Sequence, residues 1–537
     1  MKNKDAIGAL EASSTGRFQR RGRKNLALSP AGPTSVAAAA VPSLPSQGRS
    51  CRQEAPRIET PPMQNAFPIV PDRLDYSRLE SVKKFHFIGI GGVGMSGIAQ
   101  MCLERGVAVS GSDMKESDAT RRLTNRGAHI FKGHAASNIE NDTEVVVVSS
   151  AIQQENPELT AAREHGLPIR KRAEVLGWLM AAKKGIAVAG AHGKTTTTSL
   201  TSWLLEQGGF DPTLIVGGEA KNNGNNVRFG QSEFLVAEAD ESDASFLYLP
   251  SKIAIITNID DDHMDFYGSF DRLIEVFEKF INHVDPSGYV VVCTDNGPLR
   301  DLLPQIRVPT ITYGLDFPAD YSADEIDCKA GSSTFRLLVH GKPAGRFELG
   351  IPGRHNLQNA LAAMAVSLTE GVQPAHVARG LASFKGVKRR YQFIGEKAGV
   401  RVFDDYAHHP TEIAATLASV RLSKPKRLVV LFQPHRYTRT ELLAPHFAKS
   451  FRDADVVMLL PVYSAGETKR DGVSSDLIFQ HMVKGHPYVI QVKGSENHQK
   501  LLPLIASQLE SGDTVMTVGA GDVYKMGQML LDFLEKN

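Results

Sequence analysis

Residues 185–207 read GIAVAGAHGKTTTTSLTSWLLEQ, and this stretch decides the fold of the central part of the chain. Its apolar start predicts a buried strand, and residues 195–207 predict a helix. A glycine-rich turn between a strand and a helix lets backbone N–H groups approach phosphate oxygens, and the helix N-terminus adds positive potential. The stretch therefore predicts a nucleotide-binding loop in an α/β domain.

The side chains of this loop have distinct predicted roles. Lys194 would reach the β and γ phosphates of a nucleotide, and Thr195 would bind Mg²⁺ through its hydroxyl. The glycine spacing is shorter than in the common GxxxxGK[ST] pattern, so the generic motif does not match. The residues predicted to contact the nucleotide are Gly190, Ala191, His192, Gly193, Lys194, Thr195 and Thr196.

Acidic residues follow the next two apolar runs, 234–237 and 253–256. Carboxylates in such numbers are costly unless they are solvated or neutralised by a cation, and Mg²⁺ prefers oxygen ligands. We interpret Glu238 as a Mg²⁺ ligand beside Thr195, and His263 as a ligand at a second metal position. A solvated acidic loop is the alternative at each place.

A second glycine turn lies near the start of the folded chain, where residues 86–94 read HFIGIGGVG. Asp113 falls where a ribose-binding acid would sit, so a nicotinamide cofactor and another nucleotide are both open as ligands. The strand predicted at 145–148 ends at two serines that would reach the same edge of the sheet. The predicted substrate-binding residues are Gly89, Gly91, Gly92, Gly94, Asp113, Ser149 and Ser150.

Strands alternate with helices through most of the chain and predict three tandem α/β domains. We expect a disordered N-terminal extension and lead-in at 1–79, and domains at 80–180, 181–390 and 391–537. Residues 1–62 carry ten Lys/Arg against four Asp/Glu, while the remainder carries 51 against 55. The folded body is thus mildly acidic, which argues against nucleic-acid binding.

Cysteine and hydropathy patterns restrict where the protein works. Its four cysteines form no CxxC pair, which argues against a zinc site built on closely spaced thiols and suits a reducing, cytoplasmic location. No apolar run reaches the length of about eighteen residues that a membrane-spanning helix needs. We therefore expect no membrane insertion.

Two further regions carry candidate binding residues. His355 and Asn359 lie four residues apart on one helix face, where they would either pack the helix or contact a base. In the third domain, His408 lies in the string DDYAHHP, while Arg436 and Arg439 lie in QPHRYTR. Guanidinium groups suit carboxylate or phosphate ligands, although each residue alone is more often a surface residue.

Taken together, these strings resemble the Mur ligase family over roughly residues 80–537. Eight such strings occur in the order in which the family has them. The strings are HFIGIGGVGMSGIA, AGAHGKTTTT, EADESDASF, TNIDDDHMDFYG, GRHNLQNALAA, DDYAHHPTEI, FQPHRYTRT and GAGDVYKM. The match is closest to the members that add L-alanine to the carboxylate of UDP-N-acetylmuramate in peptidoglycan precursor synthesis.

The resemblance implies a Rossmann-like UDP-N-acetylmuramate domain, a central ATPase domain and a Rossmann-like amino-acid domain. It implies ATP as cosubstrate, Mg²⁺ as cofactor and an acyl-phosphate intermediate. By the same resemblance, His355, Asn359 and Arg390 would contact ATP. His408, Arg436 and Arg439 would act with Lys194 in catalysis by orienting the amino acid or the muramate.

Three alternatives remain open from the sequence. A tripeptide-recycling muramate ligase would use the same chemistry with a larger peptide. A nicotinamide-dependent oxidoreductase would use the first glycine turn, but leaves the phosphate loop and acidic strings unexplained. A non-catalytic nucleotide-binding scaffold would tolerate loss of Lys194.

Overall fold

The computed structural model describes residues 76–149, 151–222, 224, 226–486, 488–492 and 497–536. Residues 1–75 of the predicted N-terminal extension and Ser150, one of the predicted substrate-binding residues, lie outside this range, while residues 77–79 at the end of that extension begin a short helix. The described chain forms three sheets covered by helices, which confirms the predicted α/β architecture in three tandem domains. No helix in this part of the chain is long and apolar enough to cross a membrane.

The first sheet has five parallel strands in the order β3-β2-β1-β4-β5. The strands are β1 (Lys84–Ile88), β2 (Ala108–Asp113), β3 (His129–Lys132), β4 (Val145–Val148) and β5 (Ile169–Lys171). The helices are α1 (Ser77–Glu80), α2 (Val93–Glu104), α3 (Asp118–Asn125), α4 (Pro157–Glu164) and α5 (Arg172–Ala181). The strand order reverses at β1, so the glycine turn that follows β1 lies at the switch point, where such sheets bind ligands.

The central sheet has ten strands in the order β15-β14-β13-β12-β11-β10-β6-β9-β7-β8. They are β6 (Lys184–Ala189), β7 (Thr213–Ile215), β8 (Val227–Arg228), β9 (Phe234–Glu238), β10 (Ile253–Ile256), β11 (Tyr289–Cys293), β12 (Thr310–Tyr313), β13 (Tyr321–Cys328), β14 (Ser333–Val339) and β15 (Lys342–Leu349). The helices are α6 (Lys194–Gln207), α7 (Met264–Tyr267), α8 (Phe270–Asn282), α9 (Gly297–Leu302), α10 (Arg354–Thr369) and α11 (Pro374–Ser383). Because β6 lies between β10 and β9, the phosphate loop emerges between two acid-bearing strand ends.

Strands β13, β14 and β15 are antiparallel to one another and extend one edge of the central sheet. The sequence analysis does not predict them. In β14 and the first half of β13, buried residues alternate with partly exposed ones, as expected when one face of a sheet is covered. They lie outside the parallel region that carries the phosphate loop.

The third sheet has six strands in the order β16-β17-β21-β18-β19-β20, with only the β16–β17 pair antiparallel. They are β16 (Gln392–Lys397), β17 (Val400–Asp405), β18 (Arg427–Phe432), β19 (Val456–Leu459), β20 (Val489–Gln491) and β21 (Asp513–Val518). The helices are α12 (Pro410–Arg421), α13 (Tyr437–Ser450), α14 (Ser475–Met482), α15 (His498–Ala506) and α16 (Tyr524–Lys536).

The hydrophobic cores divide the chain differently from the sheets. The first two domains share one continuous cluster of buried apolar side chains, from Leu79 to Phe384. The third domain has separate clusters on the two faces of its own sheet. Burial of apolar surface is the main driving force of folding. The third domain therefore has its own core. The contacts that it makes with the central domain, described below, are polar.

Candidate functional site

The phosphate loop joins the end of β6 to the start of α6. Gly190 has a φ of +131° and Gly193 a φ of +82°, a backbone region that favours glycine. A Cβ atom on Gly190 would collide with Thr257, which lies against the loop. The N–H groups in the first turn of α6 have no intrahelical acceptor, so the loop presents an anion site at a helix N-terminus.

Asn258, just after β10, supports the loop. Its backbone carbonyl accepts a hydrogen bond from the N–H of Ala191 at 3.1 Å, and its side-chain oxygen accepts one from the N–H of His192 at 2.8 Å. These two N–H groups are therefore already hydrogen-bonded to Asn258. The backbone N–H groups that remain for a phosphate are those at the start of α6. Direct contacts of Ala191 and His192 with a nucleotide stay a prediction.

Lys194 is held beneath the loop. Its Nζ donates to the carbonyls of Gly190 and Ala191, at 2.6 and 3.1 Å, and to Glu241 Oε1 at 2.7 Å. Burial alone would lower the pKa of Lys194, but the charges of Glu241 and Glu238 outweigh it and raise that pKa above its usual value. Lys194 is therefore a fixed cation at the place where phosphate charge would lie.

Thr195 and Glu238 form an oxygen-rich pair beside Lys194. The Thr195 hydroxyl lies 3.0 and 3.2 Å from the two carboxylate oxygens of Glu238, and Glu238 Oε2 accepts a hydrogen bond from Gly217 N at 2.7 Å. Hydroxyl and carboxylate oxygens are the ligands that Mg²⁺ prefers. The donor set therefore fits the metal position predicted for these residues.

His263 lies beside Glu241, the carboxylate that pairs with Lys194. Its Nε2 is 3.7 Å from Glu241 Oε1 and 3.7 Å from Asp262 Oδ2. Burial lowers the pKa of His263, which favours the neutral ring that binds metals. Glu241 Oε2 is buried and has no hydrogen-bond partner among the residues described. This unsatisfied oxygen and the neutral imidazole fit a second cation position.

A polar cluster joins the central domain to the third domain. His192 Nε2 lies 2.7 Å from Asp260 Oδ2, and its Nδ1 lies 3.4 Å from Glu412 Oε1. Thr411 donates to Asp260 Oδ2 at 2.8 Å. His192, Asp260 and His409 also place one ligand atom each within 4.8 Å of one another, a grouping that the sequence analysis does not predict. Asp260 is thus engaged by His192 and Thr411, whereas His409 Nε2 is buried without a hydrogen-bond partner among the residues described.

The predicted residues of the third domain reach the same cleft. Arg439 pairs with Asp262 at 2.9 and 3.2 Å, and Arg436 pairs with Glu467 at 2.8 Å while its Nη1 lies 3.7 Å from Asp265. His408 Nδ1 lies 3.1 Å from a backbone carbonyl. Burial lowers the pKa of His408 to about 3, so its ring is neutral near pH 7.

A cavity of about 690 Å³ opens beside the phosphate loop, between the central and third domains. Its walls include most of the residues predicted to contact ATP. They are His192, Gly193, Thr195, Thr196, His355, Asn359 and Arg390. Burial and the charge of Arg390 lower the pKa of His355 to about 4, so the ring that faces the cavity is neutral. A neutral ring suits a nucleobase rather than a phosphate.

The glycine turn of the first domain is shaped by Asp113. Oδ2 of Asp113 accepts a hydrogen bond from Gly91 N at 2.9 Å, and Oδ1 accepts one from Lys115 N at 3.1 Å. Asp113 thus supports the turn, and ribose binding by this carboxylate stays a prediction. Ser149, which follows β4, lies at the same edge of the sheet.

Glu241, Asp262 and Arg172 are among the side chains of the site that the sequence does not predict. Glu241 pairs with Lys194, and Asp262 pairs with Arg439. Arg172 lies beside Gly94 and reaches Asp240 at 3.5 Å, so it adds a cation between the first glycine turn and the central domain. Glu241 and Asp262 lie within quoted acidic strings, but no spacing identifies their partners. Nothing in the sequence distinguishes Arg172.

Family models match most of the described chain. The model described as Mur ligase family, catalytic domain, matches residues 84–184. The Mur ligase middle domain matches residues 188–367, and the glutamate ligase domain of Mur ligases matches residues 389–521.

Individual proteins are similar over nearly their whole length. A UDP-N-acetylmuramate–L-alanine ligase from Desulfatibacillum aliphaticivorans is 46% identical, covering 83% of this chain and 97% of the relative. One of the same name from Solibacter usitatus is 47% identical, covering 84% and 95%. The crystal structure of UDP-N-acetylmuramate–alanine ligase from Thermotoga maritima matches with a TM-score of 0.70 at 29% identity, over 84% and 99% of the two chains. A murein peptide ligase from Psychrobacter arcticus shares the fold, with a TM-score of 0.63 at 23% identity, over 85% and 99%.

Proposed function

The chain belongs to the Mur ligase family, and we propose that it joins L-alanine to the carboxylate of UDP-N-acetylmuramate, converting ATP to ADP and phosphate. The relatives that carry this activity in their names support the proposal. The observation that carries it is the shared cleft, in which Lys194, Glu238 and Arg439 come together from two domains. The reaction is a step of peptidoglycan precursor synthesis, for which we propose a cytoplasmic location.

The chemistry follows from a poor leaving group. A carboxylate cannot expel its oxygen, so the muramate carboxylate would first take the γ-phosphoryl group of ATP, releasing ADP and forming an acyl phosphate. The amine of L-alanine would then attack the acyl carbon. The tetrahedral intermediate would lose a proton and expel inorganic phosphate, leaving the amide. Most of the catalysis is positioning and charge neutralisation.

We assign the phosphate side of the reaction to the loop. Lys194 and the N–H groups at the start of α6 would bind the β and γ phosphates. The Thr195 hydroxyl and the Glu238 carboxylate would hold Mg²⁺, with His263 at a second position, and the bound metal neutralises charge on the phosphates. His355 and Asn359 would contact the adenine end of ATP in the cavity.

We assign the amino-acid side to the third domain. The guanidinium groups of Arg436 and Arg439 would bind a carboxylate in the cleft. His408 has a depressed pKa and is a weak base, so its proposed role is to orient the amine or the muramate. The first domain would hold the UDP group at its glycine turn, with Arg172 close to the pyrophosphate.

These assignments imply a division of labour along the chain. We propose that residues 80–180 bind UDP-N-acetylmuramate, 181–390 bind ATP and 391–537 bring L-alanine. The oxidoreductase alternative gains no support, because Asp113, the acid it needs for ribose, is engaged by backbone N–H groups.

Phosphate release from ATP with UDP-N-acetylmuramate tests the proposal. We expect release with L-alanine, less with glycine or L-serine, and none with the tripeptide L-alanyl-γ-D-glutamyl-meso-diaminopimelate. Release with the tripeptide alone would support the recycling ligase instead. Lys194→Ala should lower the rate about a hundredfold or more, since it removes a fixed charge from the phosphates. The matched control is Lys342→Ala, an exposed lysine on β15, which should leave the rate unchanged.

A further inference from the structure

A fully buried carboxylate, Glu158 on α4, lies inside the first domain. Its side chain is 0% exposed, as is that of His86 on β1. Ser110 and Ser112, on β2, are buried beside them. Burying a charge is costly unless hydrogen bonds compensate it, so this cluster needs a reason. The proposed chemistry does not use it.

Every group around the Glu158 carboxylate is a hydrogen-bond donor. Oε1 accepts from Asn138 Nδ2 at 2.5 Å and from Ala135 N at 3.3 Å. Oε2 accepts from Ser112 Oγ at 2.5 Å and from His86 Nε2 at 3.4 Å. Burial alone would raise the pKa of Glu158, but these bonds outweigh it and hold that pKa below its usual value. The carboxylate is therefore ionised and acts only as an acceptor.

The directions of these bonds fix a proton on His134, in the loop after β3. The single hydroxyl proton of Ser112 points to Glu158, so Ser112 Oγ accepts from His134 Nδ1, which lies 2.9 Å away. Nδ1 of His134 therefore carries a proton, and Nε2 is the ring nitrogen that can accept a hydrogen bond. Among the described residues Nε2 has no hydrogen-bond partner, and the side chain is 17% exposed.

Ser112 also holds the glycine turn. Its backbone carbonyl accepts hydrogen bonds from Gly89 N and Ile90 N, both at 2.9 Å. The turn follows β1 and His134 follows β3, so both lie at the carboxyl edge of the first sheet, where such sheets bind nucleotides. One serine thus connects the buried carboxylate to two loops at this edge.

We propose that Glu158 is a positioning residue for the nucleotide-sugar site. Through Ser112 it holds the glycine turn and presents Nε2 of His134 as an acceptor for a donor of the uridine, either the imide N–H or a ribose hydroxyl. This inference rests on the proposed function, which supplies the UDP-linked ligand. Glu158 itself touches no substrate.

The variant Glu158→Gln separates this role from simple packing. Its amide keeps the shape of the side chain but replaces one carboxylate oxygen with an NH₂ group. Because hydrogen-bond donors surround both positions, the NH₂ group must face donors. The backbone N–H of Ala135 cannot turn away, so the NH₂ group should face Ser112 and His86. The Ser112 hydroxyl then accepts from the amide and donates to His134 Nδ1, which moves the ring proton to Nε2.

Two measurements follow on the full chain. Calorimetric titration with UDP and with UDP-N-acetylmuramate should show at least tenfold weaker binding by Glu158→Gln, with the KM for ATP and L-alanine unchanged. Nitrogen-15 NMR of labelled histidines, assigned with His134→Gln, should show the proton on Nδ1 in the wild type and on Nε2 in the variant. Glu164→Gln, an exposed residue on the same helix, should match the wild type in both.

The outcomes are distinguishable. A folded Glu158→Gln protein that binds both nucleotides like the wild type, whatever its melting temperature, would overturn the positioning role. If that variant does not fold, Ser112→Ala is measured instead, because it removes the hydroxyl between Glu158 and His134. Wild-type affinity of Ser112→Ala for both nucleotides would overturn the proposal. Wild-type protein that binds neither nucleotide would overturn the proposed function, whereas the histidine spectra need no ligand.

Discussion

The Arg439→Met substitution would break a buried ion pair between the third domain and the central domain. Arg439 lies on α13, and both oxygens of Asp262 lie within 3.2 Å of its Nη2 atom. The two side chains are only 8% and 11% exposed. Methionine keeps much of the apolar stem of arginine and removes the guanidinium group.

The structure sets the size of the effect. Removing one partner of a buried ion pair costs about 3–5 kcal/mol, because the other charge is left unpaired. Burial alone would raise the pKa of Asp262, and the charge of Arg439 is the largest effect that holds it well below its usual value. The Asp262 side chain keeps 11% of its surface exposed to water, so we take the lower end, about 3 kcal/mol. That corresponds to a loss of about a hundredfold in kcat/KM for L-alanine.

The assay is steady-state phosphate release with varied L-alanine at saturating ATP and UDP-N-acetylmuramate. The matched control is Arg470→Met, because Arg470 pairs with Glu441 at 2.9 Å but the two side chains are 51% and 52% exposed. Exposed pairs contribute about 0–1 kcal/mol, so this variant should stay close to the wild type.

A second substitution tells a domain contact from amino-acid binding. If Arg439 acts only through Asp262, the Arg439→Met/Asp262→Asn double variant should recover most of the loss, because no unpaired charge remains. If Arg439 also binds the amino acid, the double variant should stay as slow as Arg439→Met alone. An Arg439→Met protein with kcat/KM within about threefold of the wild type would refute the reasoning.

Three further predictions concern the phosphate loop and its surroundings. Glu238→Gln should raise the Mg²⁺ concentration for half-maximal rate about tenfold to a hundredfold, because a charged ligand is lost, and an unchanged magnesium titration would count against the metal site. Burial alone would lower the pKa of His192, but the carboxylates of Asp260 and Glu412 raise that pKa to about 9. This folded-state pKa lies above the unfolded value. Charged His192 therefore adds about 3 kcal/mol to the free energy of unfolding below about pH 6.5, and this contribution is lost as pH rises through about 9. The melting-temperature difference between wild type and His192→Gln should therefore shrink from pH 6 to pH 10, and a pH-independent difference would contradict the pairing. Gly190→Ala should abolish ATP binding in a calorimetric titration, because the added Cβ atom would collide with Thr257. The control is Gly209→Ala, which is also at positive φ but in open space and should only reduce stability. ATP binding by Gly190→Ala would disprove the steric argument.

The strands could largely be predicted from the sequence. Apolar β-branched runs bounded by polar residues match Val145–Val148 and Ile253–Ile256 as the structure has them. Each is a buried parallel strand, whose sequence is apolar on both faces. The antiparallel strands β13 to β15 have a mixed polar and apolar composition, which gives a weaker pattern.

The partners within the site could not be predicted. Lys194 and Glu241 are 47 residues apart, and Arg439 and Asp262 are 177 apart. Local periodicity reports which face of an element is buried, but it carries no information about which element packs opposite. Asp113 shows the same limit: its position fits a ribose ligand, yet its carboxylate is used to support the glycine turn.

Isotope transfer tests the central claim most directly, namely that ATP activates a carboxylate in the cleft beside Lys194. UDP-N-acetylmuramate labelled with oxygen-18 in its carboxylate is incubated with ATP, L-alanine and the protein, and the released phosphate is examined by phosphorus-31 NMR. We expect one oxygen-18 atom in each phosphate, because the carboxylate oxygen leaves with the phosphoryl group. Unlabelled phosphate released along with the amide product would contradict it.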